Sequence, residues 1–161
     1  MALRDSNRDF LRHTLATIAY RAAKSERDAA PGFGDFQIGH GARTPVQILA
    51  HMGDLFDWAL SLVNGKWDYK QSTPLSWRNE VARFHASLEA LDAYLASDAP
   101  LGITTQKLFQ GPIADALTHI GQLAMLRRVA DAPIRGESYA RSDIVVGRLG
   151  SEQPKSPYEF D

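Results

Sequence analysis

Three polar residues have the types and spacing that could hold a metal ion. Asp115 and His119 stand one helical turn apart in a predicted helix, and His51 lies in another predicted helix far away in the chain. Residues four positions apart share one face of an α-helix, so both side chains can reach the same ion. With His51 they would supply two imidazoles and one carboxylate, a set suited to Zn, Ni, Fe or Mn that leaves positions open for water or substrate. We therefore predict a divalent-metal site at His51, Asp115 and His119.

Simpler explanations exist for the same residues. Asp115 falls in the first turn of its predicted helix, where the helix dipole favours a carboxylate, and an Asp and a His at this spacing can simply form a hydrogen bond. An isolated histidine such as His51 on a partly buried stripe is usually packed and hydrogen-bonded. Spacing alone leaves both interpretations open. Of the remaining histidines, we expect His13 and His85 to play no part, and His40 is the one reserve ligand.

The first two predicted helices have clear sequence signals. The first spans about residues 5–29, where no Gly or Pro interrupts a helical repeat of apolar residues: Leu11, Leu15, Ile18 and Ala22. The second begins at Pro45 with Thr44 as its N-cap and continues to about Val63. His51 lies on a stripe of this second helix that borders the predicted core.

The third and fourth predicted helices complete the set. Ser76 is the expected N-cap of the third, which ends before Pro100 and carries an apolar seam: Trp77, Val81, Phe84, Leu88, Leu91 and Leu95. Gly111 and Pro112 are expected to open the fourth, which lasts until about Ala130. The sequence therefore predicts an all-α fold, an antiparallel four-helix bundle over residues 1–133.

The last part of the chain lacks the apolar periodicity of the predicted helices. Residues 134–161 are polar and interrupted by Pro154 and Pro157, and only residues 144–146 suggest a short strand. We expect an irregular C-terminal extension that packs on the bundle or on a partner subunit.

Composition excludes several classes of function. The 161 residues include no cysteine, so disulfides, zinc-thiolate sites and cysteine nucleophiles are excluded and any thiol must come from another molecule. The net charge of −1 and the lack of a basic run argue against nucleic-acid and membrane partners. The first nine residues do not resemble a signal peptide, and no apolar stretch approaches the roughly 20 residues of a membrane span, so we expect a cytoplasmic protein.

Two segments resemble the DinB-like superfamily. Residues 43–52, RTPVQILAHM, are similar to the second helix of that family with its ligand histidine, and residues 118–123, THIGQL, are similar to an element of its fourth helix. The resemblance covers most of residues 5–130 in layout. It implies a homodimeric four-helix bundle with a histidine ligand on the second helix and two more, four residues apart, on the fourth. Asp115 replaces one of these histidines, which shifts the preference towards harder ions such as Fe or Mn.

The resemblance implies two functional hypotheses. In the first, the protein is a metal-dependent thiol transferase or hydrolase, in which a bound cation activates an external low-molecular-weight thiol or water. In the second, it is a non-catalytic bundle with a degenerate metal site that binds a small ligand or a protein partner. Asp115 favours the second hypothesis, because a family ligand is changed and no general base stands out beyond the predicted ligands. No catalytic residue is assigned.

Overall fold

The structure, a computed structural model, describes residues 5–160 and is mostly helical, as predicted for an all-α protein. Its long helices are α1 (Ser6–Glu26), α2 (Pro45–Val63), α3 (Trp77–Ala96) and α5 (Ala114–Val129), and a short helix, α4 (Thr105–Leu108), precedes the last of these. None of the helices in this range is long and apolar enough to cross a membrane. Residues 1–4 and 161, which the predicted bundle and extension include, lie outside the described residues.

The two predicted N-caps are confirmed. Thr44 Oγ1 accepts a hydrogen bond from the backbone N–H of Gln47, and Gln47 Oε1 accepts one from the N–H of Thr44, which together form a capping box. Ser76 Oγ accepts from the N–H of Asn79 at the start of α3. These caps satisfy N–H groups that have no partner within the helix, and so fix where each helix begins. The start of α2 in turn sets the direction in which His51 points.

The long helices enclose one hydrophobic core. Helix α2 packs against α3 and α5, and α1 packs against the same two helices on the opposite side. Phe56 of α2 and Phe84 of α3 meet at its centre with ring centroids 5.9 Å apart. The apolar residues predicted to face the core do so on α1, α2 and α3. Their fully buried side chains include Leu15, Ile18, Leu49, Met52, Leu88, Leu91 and Leu95.

The approach to α5 includes a short helix, α4, that was not predicted. Helix α4 is already helical from Thr105, and the segment Phe109–Ile113 connects it to α5. Gly111 leaves helical geometry there, with φ −88° and ψ −107°. Two helical paths therefore meet at a kink at Gly111, and Pro112 stands at the start of the second one, where its missing N–H costs no hydrogen bond, as predicted. Asp115 consequently lies in the first turn of α5.

The predicted strand at residues 144–146 is wrong, since these residues form no strand in the described chain. Val145 and Val146 are exposed and have no strand beside them. The extension instead contains two short strands, β1 (Gly136–Glu137) and β2 (Glu159–Phe160), which pair antiparallel. β-Branched residues form a strand only where a second strand can pair with them through hydrogen bonds. That second strand comes from a distant part of the chain, which local sequence does not reveal.

Polar contacts and one leucine hold the extension against the bundle. Leu149 is 3% exposed and belongs to the hydrophobic core. Lys24 of α1 forms ion pairs with Glu137 and Glu159, the acidic residues of β1 and β2. These contacts make the extension part of the same packed body as the bundle.

His85 of α3 has a structural position that the sequence did not indicate. Its Nε2 lies 2.7 Å from Glu26 Oε2, and its Nδ1 lies 2.5 Å from the backbone carbonyl of Leu149. Both partners only accept hydrogen bonds, so both ring nitrogens carry protons. Burial lowers the pKa of His85, but the hydrogen bond and charge of Glu26, together with the Leu149 carbonyl, outweigh it and raise that pKa above its ordinary value. His85 therefore links α1, α3 and the extension as a cation.

Candidate metal centre

The structure brings the predicted ligands together where α2 faces α5. His51 lies in the second turn of α2, and Asp115 and His119 lie in the first two turns of α5. His51 Nε2 is 3.3 Å from Asp115 Oδ2, and His119 Nε2 is 3.3 Å from Asp115 Oδ1. One ligand atom from each of the three residues lies within 4.8 Å of the others. The cluster thus has one carboxylate between two imidazole nitrogens, one from His51 and one from His119.

The spacing fits a small divalent ion with little adjustment. Metal–nitrogen and metal–oxygen distances of about 2.0–2.2 Å allow two ligands on opposite sides of one ion to lie at most about 4.4 Å apart. The largest separation here, 4.8 Å, exceeds that span by about half an ångström, which a small rotation of a side chain can close. The donor set and the spacing therefore suit Zn, Ni, Fe or Mn.

Each imidazole has a polar partner at its outer nitrogen. His119 Nδ1 lies 2.8 Å from Gln122 Oε1, and His51 Nδ1 lies 3.3 Å from the hydroxyl of Tyr69. A Gln carbonyl oxygen can only accept, so the proton of His119 is on Nδ1 and the lone pair of a neutral ring is on Nε2. Metal-ligating histidines usually have such a partner, which fixes the tautomer and the ring orientation.

The cluster is buried on the histidine side and open on the carboxylate side. The side chain of Asp115 is 45% exposed, whereas His51 and His119 are largely covered. Burial lowers the pKa of His51, the positive charges of Arg43 and of a protonated His119 lower it further, and Asp115 only partly opposes them. His51 is therefore neutral at neutral pH, which is the form that binds a metal. A substrate can approach from the side of Asp115.

An aromatic group lies next to His51. The ring of Trp58, on α2, packs edge-on against Tyr69 at 5.8 Å and against Trp67 at 6.3 Å between centroids. Tyr69 and Trp67 come from the loop between α2 and α3. Partial burial, followed by the charge of Asp54, raises the pKa of Tyr69, so its hydroxyl keeps its proton at neutral pH. Sequence reasoning missed Tyr69, because a loop has no periodicity that would place a side chain beside His51.

On the other side, His119 borders an apolar cavity of about 310 Å³. Gln122 lies in the same wall, and Arg43, just before the N-cap of α2, lies at its edge. The sequence indicated neither the cavity nor the role of Arg43, since both depend on how the segment before α2 lies against α5.

The other histidines do not join the cluster. His40, the predicted reserve ligand, is exposed in a loop with a left-handed φ of 57° and lies outside the group that could hold an ion. His13 is exposed on α1, as predicted. Both ring nitrogens of His85 are already hydrogen-bonded, one to Glu26 and one to the backbone carbonyl of Leu149. The candidate site therefore consists of His51, Asp115 and His119.

Comparison of the chain with models of protein families, with curated proteins and with solved structures finds no significant match.

Proposed function

We propose that the protein is a DinB-like metalloprotein in which His51, Asp115 and His119 hold one divalent ion, and that it is a thiol transferase or hydrolase. The observation that carries this proposal is the convergence of three ligand atoms within 4.8 Å at a place where one side remains open to solvent. An open side is the feature that separates a catalytic metal site from a structural one.

The alternative is a cluster held by hydrogen bonds without an ion, and the proton position at His119 argues against it. His119 already carries its proton on Nδ1, facing Gln122. Its Nε2 can donate to Asp115 only if the ring is a cation; in a neutral ring, a lone pair faces the carboxylate oxygen at 3.3 Å. A cation between the His119 lone pair and the Asp115 carboxylate turns this repulsion into attraction.

The residues around the ion have distinct roles in this proposal. A bound divalent ion acts as a Lewis acid that lowers the pKa of a thiol or water ligand, which supplies a nucleophile at neutral pH. Asp115 offsets part of the positive charge and favours harder ions such as Fe or Mn. Gln122 and Tyr69 orient the two imidazoles. Because the chain has no cysteine, the thiol is a separate small molecule.

A thiol-transfer screen tests the proposed activity. Protein loaded with Zn, Ni, Fe or Mn is mixed with glutathione, cysteine or coenzyme A and the electrophile chlorodinitrobenzene, and the thioether is followed by absorbance. We expect a metal-dependent rate that disappears in His119→Ala and persists in His13→Ala, a matched control on the exposed face of α1. If metal-loaded wild type does not raise the rate above that of the uncatalysed reaction, with these thiols or with ester substrates, the proposed activity is wrong. The hypothesis of a non-catalytic bundle would then remain.

A further inference from the structure

The cavity beside the candidate metal centre has the form of a ligand site. Its volume of about 310 Å³ is at the lower end of the range of about 300–1,000 Å³ that is usual for small-molecule pockets. His119 and Gln122 line one end, so the cavity opens directly beside the predicted ligands. The remaining walls are mostly apolar and include Ile48 and Leu126, which the core also contacts. A molecule in the cavity would touch the metal cluster.

The mouth of the cavity exposes apolar surface. Ile38 is 38% exposed and Met125 is 56% exposed, and these residues of separate segments both line the cavity. Apolar side chains at the rim of a concave site usually contact an apolar ligand, because covering them removes that surface from water. The small volume fits one small molecule better than a segment of another protein.

Arg43 gives the cavity a charge preference. It is exposed at the edge, and no carboxylate lines the cavity. Within residues 5–160, Arg43 forms no ion pair or hydrogen bond, whereas Arg12, Arg83 and Arg127 are all bound to carboxylates or carbonyls. An unpaired guanidinium beside an apolar cavity favours a ligand with one negative charge.

We propose that the cavity binds a small hydrophobic carboxylate, with its apolar part between Ile38, Ile48 and Met125 and its carboxylate at Arg43. This inference rests on the proposed function, since it makes the cavity the substrate site of the same metal centre. Binding itself, however, needs no ion, because the residues that recognise the ligand are not the metal ligands, apart from His119, which also lines the cavity.

Calorimetric titration of chelator-treated protein with octanoate tests this proposal. Octylamine serves as the probe with the same chain and the opposite charge. We expect octanoate to bind wild type, to bind Arg43→Gln about three- to tenfold more weakly, and to bind Arg128→Gln as well as wild type. Arg128 is an exposed arginine of α5 outside the cavity and is therefore the matched control. No binding of octanoate, equal binding of octylamine, or equal loss in both arginine variants would overturn the proposal.

A second variant separates this proposal from the metal proposal. Met125→Glu places a negative charge at the mouth and should abolish octanoate binding while leaving the metal content unchanged. Octanoate binding that requires a loaded ion and ignores Arg43 would overturn the cavity proposal and support the metal centre. Binding that depends on Arg43 in a protein that retains no ion would support the cavity proposal alone. A wild-type dimer that Met125→Glu converts to monomers would identify the cavity as a subunit contact and overturn its assignment as a ligand site.

Discussion

Gln122 Oε1 accepts a hydrogen bond from His119 Nδ1 at 2.8 Å, and the two residues lie one turn apart on α5. This contact determines which imidazole nitrogen faces Asp115 and holds the ring in place. It also connects the candidate metal centre to the apolar cavity, because both residues line that cavity.

Removing this contact should weaken metal binding without removing a ligand. Gln122→Ala frees the ring of His119 to rotate and to change tautomer, so we expect affinity for Zn²⁺ to fall by about 10- to 100-fold. Competition with a chromophoric chelator measures this change. Gln110→Ala, which removes an exposed glutamine outside the site, should have no effect. Equal affinities of the two variants would show that Gln122 does not orient His119.

Arg83 joins two buried carboxylates and the loop that carries Tyr69. Its guanidinium contacts Glu80 at 2.9 Å and Asp54 at 3.1 Å, and it donates to Ser72 Oγ at 3.0 Å. Arg83→Met leaves Glu80 and Asp54 buried without their cation, so we expect a loss of about 3–5 kcal/mol in the free energy of unfolding. Urea denaturation measures it. The exposed neighbour Arg78→Met should change stability by less than about 0.5 kcal/mol, and a similar loss in both variants would contradict this account.

Leu149 should matter as much as a core residue although it lies in the extension. Leu149→Ala is expected to lower the free energy of unfolding by about 2–4 kcal/mol, because it leaves a void in the core. Val146→Ala, at a position that is 42% exposed, should cost less than about 0.5 kcal/mol. Urea denaturation of both variants compares them directly. If Leu149→Ala is as stable as Val146→Ala, the extension is not docked as described.

The contact between His85 and Glu26 should make stability depend on pH. The pKa of His85 is raised in the folded protein, so its contribution is fully present below the unfolded pKa of about 6.5 and is lost as pH rises through the folded value. We expect the stability advantage of wild type over His85→Gln to be larger at about pH 6 than at about pH 9. Urea denaturation of both proteins at the two pH values gives the difference. An advantage that stays constant or grows with pH would mean that His85 is not held as a cation.

Features set by local sequence were predictable. Thr44 and Ser76 act on N–H groups within their own first turns, so each helix start can be read from a few residues. The seam that contains Phe84 and Leu88 follows from helical periodicity alone. Gly111 and Pro112 mark where the last helical path starts, but they do not say whether a helix lies before them, so α4 was not predicted.

Features that depend on distant parts of the chain were not predictable. The pairing of β1 with β2 and the link between His85 and Glu26 join segments that no local pattern connects. The candidate site shows the same division. Asp115 and His119 share a helix face by their spacing, and His51 was added to them for its residue type and its place on a stripe that borders the core. The position of Tyr69, which comes from a loop, had no sequence signal.

Elemental analysis of protein purified without a chelator or a metal-binding tag tests the central claim most directly. Wild type is compared with His51→Ala, which removes one predicted ligand, and with His13→Ala, which removes an exposed histidine outside the cluster. We predict about one divalent ion per chain in wild type and in His13→Ala, and almost none in His51→Ala. No ion in any of the three proteins, even after reconstitution with Zn, Ni, Fe or Mn, would contradict the account and identify the cluster as a hydrogen-bonded remnant.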